Sequence, residues 1–171
     1  MQAYWSVAAG LWAGAATLFG ATPIFDLPSG VTPRKHTLEL TVDPSQPTME
    51  GRMEIAIEVG APTSQIWLNA RNITAREATI NGQPVRVVTG AGEFLVLEAP
   101  SLVPTGPATL VIRFQSVLDD KLSLGAYRRK VGGDWYAYTT FTPIEARRAF
   151  LKRSRRPVVR NTAFEIGRAH V

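Results

Sequence analysis

Two neighbouring segments of the chain, residues 37–43 and 52–59, alternate between apolar and polar residues with a period of two. The apolar positions are Leu38, Leu40, Val42, Met53, Ile55, Ile57 and Val59. Because successive side chains of a β-strand point to opposite faces of a sheet, this pattern predicts antiparallel strands with one buried and one solvated face. A helix would require apolar residues at a spacing of three to four, which neither segment has.

Short strand-like segments continue at regular spacing through the middle of the chain. They are residues 65–69, 73–80, 85–88, 94–97 and 110–115. Asn81-Gly82 is a strong hairpin signal and leads into the segment at 85–88. Apolar residues at both phases of 110–115 indicate a strand that is covered on both faces. The fold class predicted from this spacing is all-β, with an antiparallel β-sandwich or saddle-like double sheet.

Residues 134–150 begin as a strand and then change to a helix signal. The first half is rich in aromatic and β-branched residues, which suit a pleated surface. Thr142 is a suitable N-cap, Pro143 fits the first helical position, and Glu145 stands three residues after the cap and completes a capping box. The sequence therefore predicts a short helix that starts near Thr142.

The N-terminal run is apolar, since residues 3–21 carry no charge and are rich in Ala, Gly and aromatics. A secretory signal peptide in residues 1–21 explains this run. A membrane anchor is an alternative because the run is almost long enough to span a bilayer, and a Met1 that is not the true start is another. We expect an exported protein, periplasmic or extracellular, with or without a membrane anchor. Residues 22–33 are predicted to be a linker punctuated by Pro and Gly.

The net charge of +5 would suggest a nucleic-acid partner if it were spread over the chain. Residues 151–171, however, contain six of the 19 basic residues and one of the 14 acidic residues. Residues 1–150 therefore contain 13 of each (19 minus 6, and 14 minus 1). The body of the protein is not basic, and no nucleic-acid partner is predicted.

Cysteine and histidine, which are common metal ligands and catalytic groups, are absent or scarce in this chain. The sequence has no cysteine and only two histidines, His36 and His170, which lack partners at metal-ligand spacing. The basic run at residues 127–130 precedes Gly132-Gly133 and is interpreted as a solvated hairpin turn rather than an anion site. No catalytic residue and no metal ligand is predicted in this chain.

Four stretches, taken in order, match motifs of one known family. They are Leu27–Pro33 with His36–Leu40, Met49–Ile55, Leu122–Arg128 and Thr139–Phe150. The third resembles a turn of the form L-x-G-F/L-Y-R, and the fourth resembles the segment T-Q-F-E-P-T-D-A-R-R-A-F. Together, over about residues 25–150, they resemble the N-terminal domain of the aminopeptidase N family of zinc metallopeptidases, the gluzincin aminopeptidases.

The resemblance implies a domain that caps the catalytic domain of an enzyme that removes N-terminal residues from peptides. By position in the family motif, Thr140 and Thr142 would bind the amino end of the substrate. The family places Gln and an acidic residue there, and a hydroxyl cannot replace the charge-assisted bond of a carboxylate. Thr142 is therefore better explained as a helix cap. Arg147 and Arg148 are interpreted as contacts with the adjoining domain.

The family's zinc site requires a His-Glu-x-x-His motif with a downstream Glu, and this sequence contains neither. The resemblance thus implies zinc in a full-length parent, none bound by this chain, and peptides and a missing catalytic domain as partners. An alternative is a non-catalytic β-sandwich module of the same ancestry that binds proteins. A catalytic motif encoded after Phe150 would favour the enzyme.

The match to the family pattern stops after Phe150. One possible choice of codons for Arg155–Thr162, read in another frame, gives a sequence close to the family's continuation, and Ile166–Val171 resembles a translated sequencing adapter. We therefore predict that residues 34–150 form the β-domain and that residues 151–171 are a tail derived from a frameshift and an adapter.

Overall fold

The structure of this chain is a computed structural model that describes residues 27–89 and 93–140. These residues form ten β-strands, and no helix occurs among them. The strands are β1 (Val31–Thr41), β2 (Thr48–Val59), β3 (Thr63–Asn69), β4 (Ile73–Ile80), β5 (Gln83–Pro84), β6 (Arg86–Thr89), β7 (Phe94–Val103), β8 (Gly106–Val117), β9 (Gly125–Val131) and β10 (Asp134–Thr140). β1 begins at Val31, so the end of the predicted linker is part of the first strand.

The strands form two antiparallel sheets and a separate hairpin. One sheet has the order β1-β2-β8-β4-β5, the second has the order β3-β7-β6, and β9 and β10 form a two-stranded sheet of their own. Every strand pair is antiparallel. The predicted all-β fold with antiparallel sheets is confirmed. The helix predicted near Thr142, residues 1–21 and residues 151–171 lie outside the described residues.

The two larger sheets enclose one hydrophobic core. Its members from the first sheet include Met53, Ile55 and Leu110, and those from the second include Leu68 and Leu97, all fully buried. In β2 and β8 the buried side chains occupy alternate positions, which is why the period-two pattern identified the inner face of the first sheet. Burying a side chain of this size stabilises the fold by about 1.5–3 kcal/mol.

The turn after β4 forms at the predicted hairpin signal. The segment that follows it contributes β5 to the first sheet and β6 to the second. Asn81 and Gly82 have φ angles of 50° and 80°, which a two-residue turn of this type requires. The side-chain oxygen of Asn81 accepts a hydrogen bond of 2.8 Å from the backbone N–H of Thr109. The chain then pairs with β4 through β5 and through a 3.0 Å hydrogen bond from Val85 N to Ala78 O, and it crosses to the second sheet as β6.

The prediction that residues 110–115 are covered on both faces is wrong. β8 is an inner strand of its sheet, but Arg113 on its outer face is exposed. Arg113 pairs with Glu77 at 3.7 Å, and Arg52 of β2 pairs with Glu39 at 3.5 Å. The outer face of this sheet is therefore polar and carries cross-strand ion pairs. Val111 lies on this face, half-buried beside charged side chains.

The described strands and turns contain neither a membrane-spanning helix nor a group of metal-ligating side chains. This part of the chain contains no helix with the length and apolar character needed to cross a membrane. His36 is buried in β1 at 6 % exposure. In the same part of the chain, no three His, Cys, Asp or Glu side chains are grouped so that they could hold a metal ion.

Candidate functional site

The residues predicted to contact substrate or an adjoining domain lie at or after the end of β10. Thr140 is exposed and is the last residue of that strand, paired with Gly125 of β9. Thr142, Arg147 and Arg148 lie outside the described residues. The described part of the candidate site is therefore the β9–β10 hairpin, which is the element that positions Thr140.

The backbone of this hairpin is regular from end to end. Its register joins Asp134 to Val131 at the turn and Thr140 to Gly125 at the open end. Gly132 and Gly133 make the turn with φ angles of 62° and 102°, which side-chain-bearing residues rarely adopt. Because alternate residues share a face, the hairpin has two distinct sides.

One side of the hairpin is an aromatic surface, which we call the tyrosine face and define by Tyr127, Tyr136 and Tyr138. Tyr127 and Tyr138 are cross-strand partners whose rings stack with centroids 5.5 Å apart. Tyr136 and Tyr138 are 47 % and 42 % exposed. Thr140 lies two residues beyond Tyr138 and belongs to the same face. A surface of this kind suits contact with another protein surface.

The other side of the hairpin contacts the sandwich through Arg128, which is only 9 % exposed. Its Nη1 donates a 2.7 Å hydrogen bond to the backbone oxygen of Ser45 and lies 3.5 Å from that of Pro44. Its Nη2 is 3.7 Å from the carboxylate of Asp120. The guanidinium lies over the Trp135 ring, 4.2 Å from the centroid. The interpretation of residues 127–130 as a solvated turn is wrong for Arg128.

The turn that receives Arg128 is itself fixed by a carboxylate. Asp43 Oδ1 accepts hydrogen bonds from Ser45 N at 2.9 Å and from Ser45 Oγ at 2.7 Å. The backbone N–H of Gln46 donates to the Asp43 carbonyl at 3.0 Å. Two hydrogen bonds from Ser45 lower the pKa of the Asp43 carboxyl. The bond from the Ser45 side chain has the larger effect, and the bond from its backbone N–H has the next largest.

Sequence inspection missed Arg128 and the tyrosine face for a common reason. Basic residues and tyrosines near a Gly-Gly turn are typical of solvated hairpins, and the distant residues that Arg128 contacts lie more than 80 positions earlier. The alternation of residues 127–130 across the two faces was the one available signal. It separates Tyr127 and Arg129 from Arg128 and Lys130.

Comparison with known proteins gives consistent matches over this same region. The family model of the Peptidase M1 N-terminal domain matches residues 32–151. Aminopeptidase M1-D of Oryza sativa subsp. japonica is 35 % identical over 72 % of this chain and 15 % of its own length. Aminopeptidase M1 of Arabidopsis thaliana is 30 % identical over 72 % of this chain and 16 % of its own length. The chain therefore spans about one sixth of these curated relatives.

Solved structures show the same fold at lower sequence identity. A mutant M1 zinc metallopeptidase from Deinococcus radiodurans superposes with a TM-score of 0.60 at 21 % identity, over 74 % of this chain and 30 % of that one. The same enzyme bound to a Tyr-Ser-Ala substrate gives a TM-score of 0.59 at 22 % identity, over 72 % and 29 % of the two chains. At these identities the likeness supports the fold alone.

Proposed function

Since the chain belongs to the Peptidase M1 N-terminal domain family, as the match over residues 32–151 shows, we propose that it is the N-terminal domain of a zinc-dependent aminopeptidase. The observation that supports this most is the extent of the match, which includes the β9–β10 hairpin and continues past Thr140. The whole enzyme would remove N-terminal residues from peptides. This domain would cap the catalytic domain at the amino end of the substrate.

The tyrosine face is the surface we assign to the catalytic domain. Tyr136 and Tyr138 are large, partly apolar and exposed on one side of the hairpin, whereas Arg128 on the other side is buried against the sandwich. Aromatic side chains that are already exposed, with the Tyr127 and Tyr138 rings stacked, can pack on a second domain with little loss of side-chain entropy. Arg147 and Arg148, which follow in the sequence, would extend the same interface.

Thr140 would lie at the amino end of the peptide substrate. It is exposed and is directly continuous with the tyrosine face. Its hydroxyl can accept a hydrogen bond from a substrate ammonium group, but it supplies no charge. We therefore assign it a weak, neutral contact. Most of the attraction for the substrate's charged amine would come from the catalytic domain, and Thr142 would serve as a helix cap.

The zinc ion of the proposed enzyme would not be held by this domain. The described residues bring no group of three His, Cys, Asp or Glu together, and the full sequence has no His-Glu-x-x-His. The donor set therefore does not fit zinc, and no catalytic step is assigned to these residues. Metal analysis of the purified chain after dialysis against micromolar zinc is expected to find much less than one zinc per chain.

Export is a separate part of the proposal and depends on the uncharged run in residues 3–21. An apolar run of this length supports a secretory signal, and the small residues within it suit cleavage. When the protein is expressed with its own N-terminus in a secreting host, we expect it outside the cytoplasm or held at the membrane. Retention of an unprocessed, freely soluble protein in the cytoplasm would contradict this part alone.

Hydrolysis of aminoacyl-anilides tests the enzymatic proposal. The product of the intact coding region is expected to release the anilide and to lose this activity when a chelator removes the metal. The 171-residue chain, assayed in parallel with zinc, is expected to show no turnover. Turnover by the chain alone would contradict the domain assignment. An intact product that folds, binds proteins and lacks activity would favour the non-catalytic binding module instead.

A further inference from the structure

The β9–β10 hairpin is a two-stranded sheet of its own, separate from the strands of the sandwich. An isolated two-stranded hairpin is marginally stable in water, so its orientation depends on its attachments. Within the described residues, its backbone is bonded to Asp119, which accepts from Arg128 N at 2.9 Å and donates to Ala126 O at 3.3 Å. Ala126 also packs in the core.

The side-chain hydrogen bonds of Arg128 and Arg129 differ in how far along the sequence their partners lie. Arg129 donates to Lys121 O at 3.2 Å and to Ser123 Oγ at 2.9 Å, both in the segment that leads into β9. Such local bonds join the hairpin to its own lead-in segment and do not reach the β1–β2 turn. Arg128 instead reaches Ser45, 83 positions earlier in the chain. Its guanidinium thus joins the hairpin to the β1–β2 turn.

The surroundings of Arg128 suit a fixed guanidinium. Its flat face lies on Trp135, while the Nη atoms on its edge point to the Ser45 carbonyl and the Asp120 carboxylate. A planar group with several in-plane donors can satisfy these contacts at once, whereas an ammonium group cannot. The Asp43 hydrogen bonds hold the turn that contains Ser45. Both ends of the link are therefore well defined.

We propose that Arg128 is a positioning residue, which fixes the angle of the β9–β10 hairpin against the sandwich and so the location of Thr140 and the tyrosine face. Its importance for substrate rests on the proposed function, because Thr140 has that role only in the enzyme. The mechanical claim is independent of it. Arg128 is buried against the sandwich, so it acts through the hairpin and not by contacting substrate.

Distance measurements between two spin labels test the positioning directly. The chain has no cysteine, so labels at Val131→Cys and Leu102→Cys would be unique. Both residues are exposed, at 57 % and 65 %, and they lie at the hairpin turn and on β7 of the sandwich. The starting protein is expected to give a narrow distance distribution. R128A and R128K are both expected to broaden it at least about twofold, because lysine lacks the planar donor set.

Lys130→Ala is the matched control. Lys130 is on the same strand and face as Arg128, and its Nζ lies 5.9 Å from the Trp135 centroid, but it is exposed. K130A is expected to leave the distribution unchanged. Distributions for R128A and R128K as narrow as that of the starting protein would overturn the proposal.

Amide hydrogen exchange distinguishes positioning from a general loss of stability. In R128K, exchange in β9 and β10 is expected to accelerate about tenfold or more, with protection in β2 and β8 preserved. Equal acceleration in all strands would overturn the proposal, since Arg128 would then stabilise the fold as a whole. Both measurements use the chain itself. They are therefore unaffected if the intact protein proves to have no peptidase activity.

Discussion

Gly51 shows how the size of one residue determines the packing between two central strands. It lies on β2 opposite Phe114 of β8, whose ring is 2 % exposed. The ring occupies the space that a side chain at position 51 would need. A Cβ built on Gly51 would stand only 2.6 Å from Phe114 Cε1. The glycine is therefore required by the aromatic ring, not by backbone conformation.

We predict that Gly51→Ala destabilises the chain by about 1–3 kcal/mol, because an extra methyl group must displace a buried ring. Denaturant unfolding followed by circular dichroism measures this change. Gly60→Ala is the control, since a Cβ at that position meets its nearest atom, Gly30 O, at an ordinary 3.4 Å. Equal stability of the two variants would show that Phe114 moves aside without strain.

Asn69 illustrates a polar group in an apolar setting. It is 1 % exposed at the end of β3, pairs with Phe94 and belongs to the same face of β3 as Trp67. Among the described residues, neither its Oδ1 nor its Nδ2 has a hydrogen-bond partner. An unsatisfied buried amide destabilises a fold by about 1–3 kcal/mol.

Asn69→Leu is therefore expected to raise the unfolding free energy by about 1 kcal/mol, because a side chain of similar size replaces the amide without its desolvation penalty. Thermal unfolding measures the difference, and Leu68→Asn, which places an amide in the core, is expected to lower stability sharply. A loss of stability in N69L would mean that the amide has a hydrogen-bonded partner such as a buried water.

At the scale of elements, Arg128 links the β1–β2 turn to the β9–β10 hairpin. Asp43 holds the turn, the turn presents the Ser45 carbonyl, and Arg128 joins that carbonyl to the hairpin. A change at the turn should therefore reach a strand that is remote in sequence. The charge state of Asp43 provides a way to test this connection.

The contribution of Asp43 depends on pH in a defined direction. Its pKa in the folded chain is below the ordinary 3.8, so its stabilising effect is fully present above pH 3.8 and is lost as pH falls through the lowered value. We predict that Asp43→Asn is less stable than the starting chain at about pH 6, and that the two converge in strongly acidic solution. A difference that stays constant across this range would contradict the prediction.

The elements also show what a sequence can predict. Strands whose faces differ in chemistry, such as β1 and β2, were located because Met53 and its neighbours alternate with charges. The turn at Asn81-Gly82 was recognised because it needs unusual φ angles. The crossing of the chain from β5 in the first sheet to β6 in the second was not predicted, because the local sequence does not indicate with which sheet each strand pairs. The burial of Arg128 was also missed, because its acceptor carbonyls belong to backbone that no side-chain pattern reveals.

At the scale of the whole molecule, two sheets around one core form a scaffold from which the hairpin presents Thr140. The core uses residues of both sheets, whereas Tyr136 and Tyr138 remain outside it. The family resemblance in the segments around residues 122–128 and 139–150 predicted the Peptidase M1 N-terminal domain correctly. The expected interface residues Arg147 and Arg148 lie outside the described residues, so their role stays a prediction.

The central claim is that this domain belongs to a zinc aminopeptidase. The most direct test is to sequence the source DNA through the codon of Phe150 and onward. Our account predicts an open frame that returns to the family pattern and encodes His-Glu-x-x-His with a later Glu. A stop codon, or a frame that continues as residues 151–171 do and reaches no such motif, would contradict it.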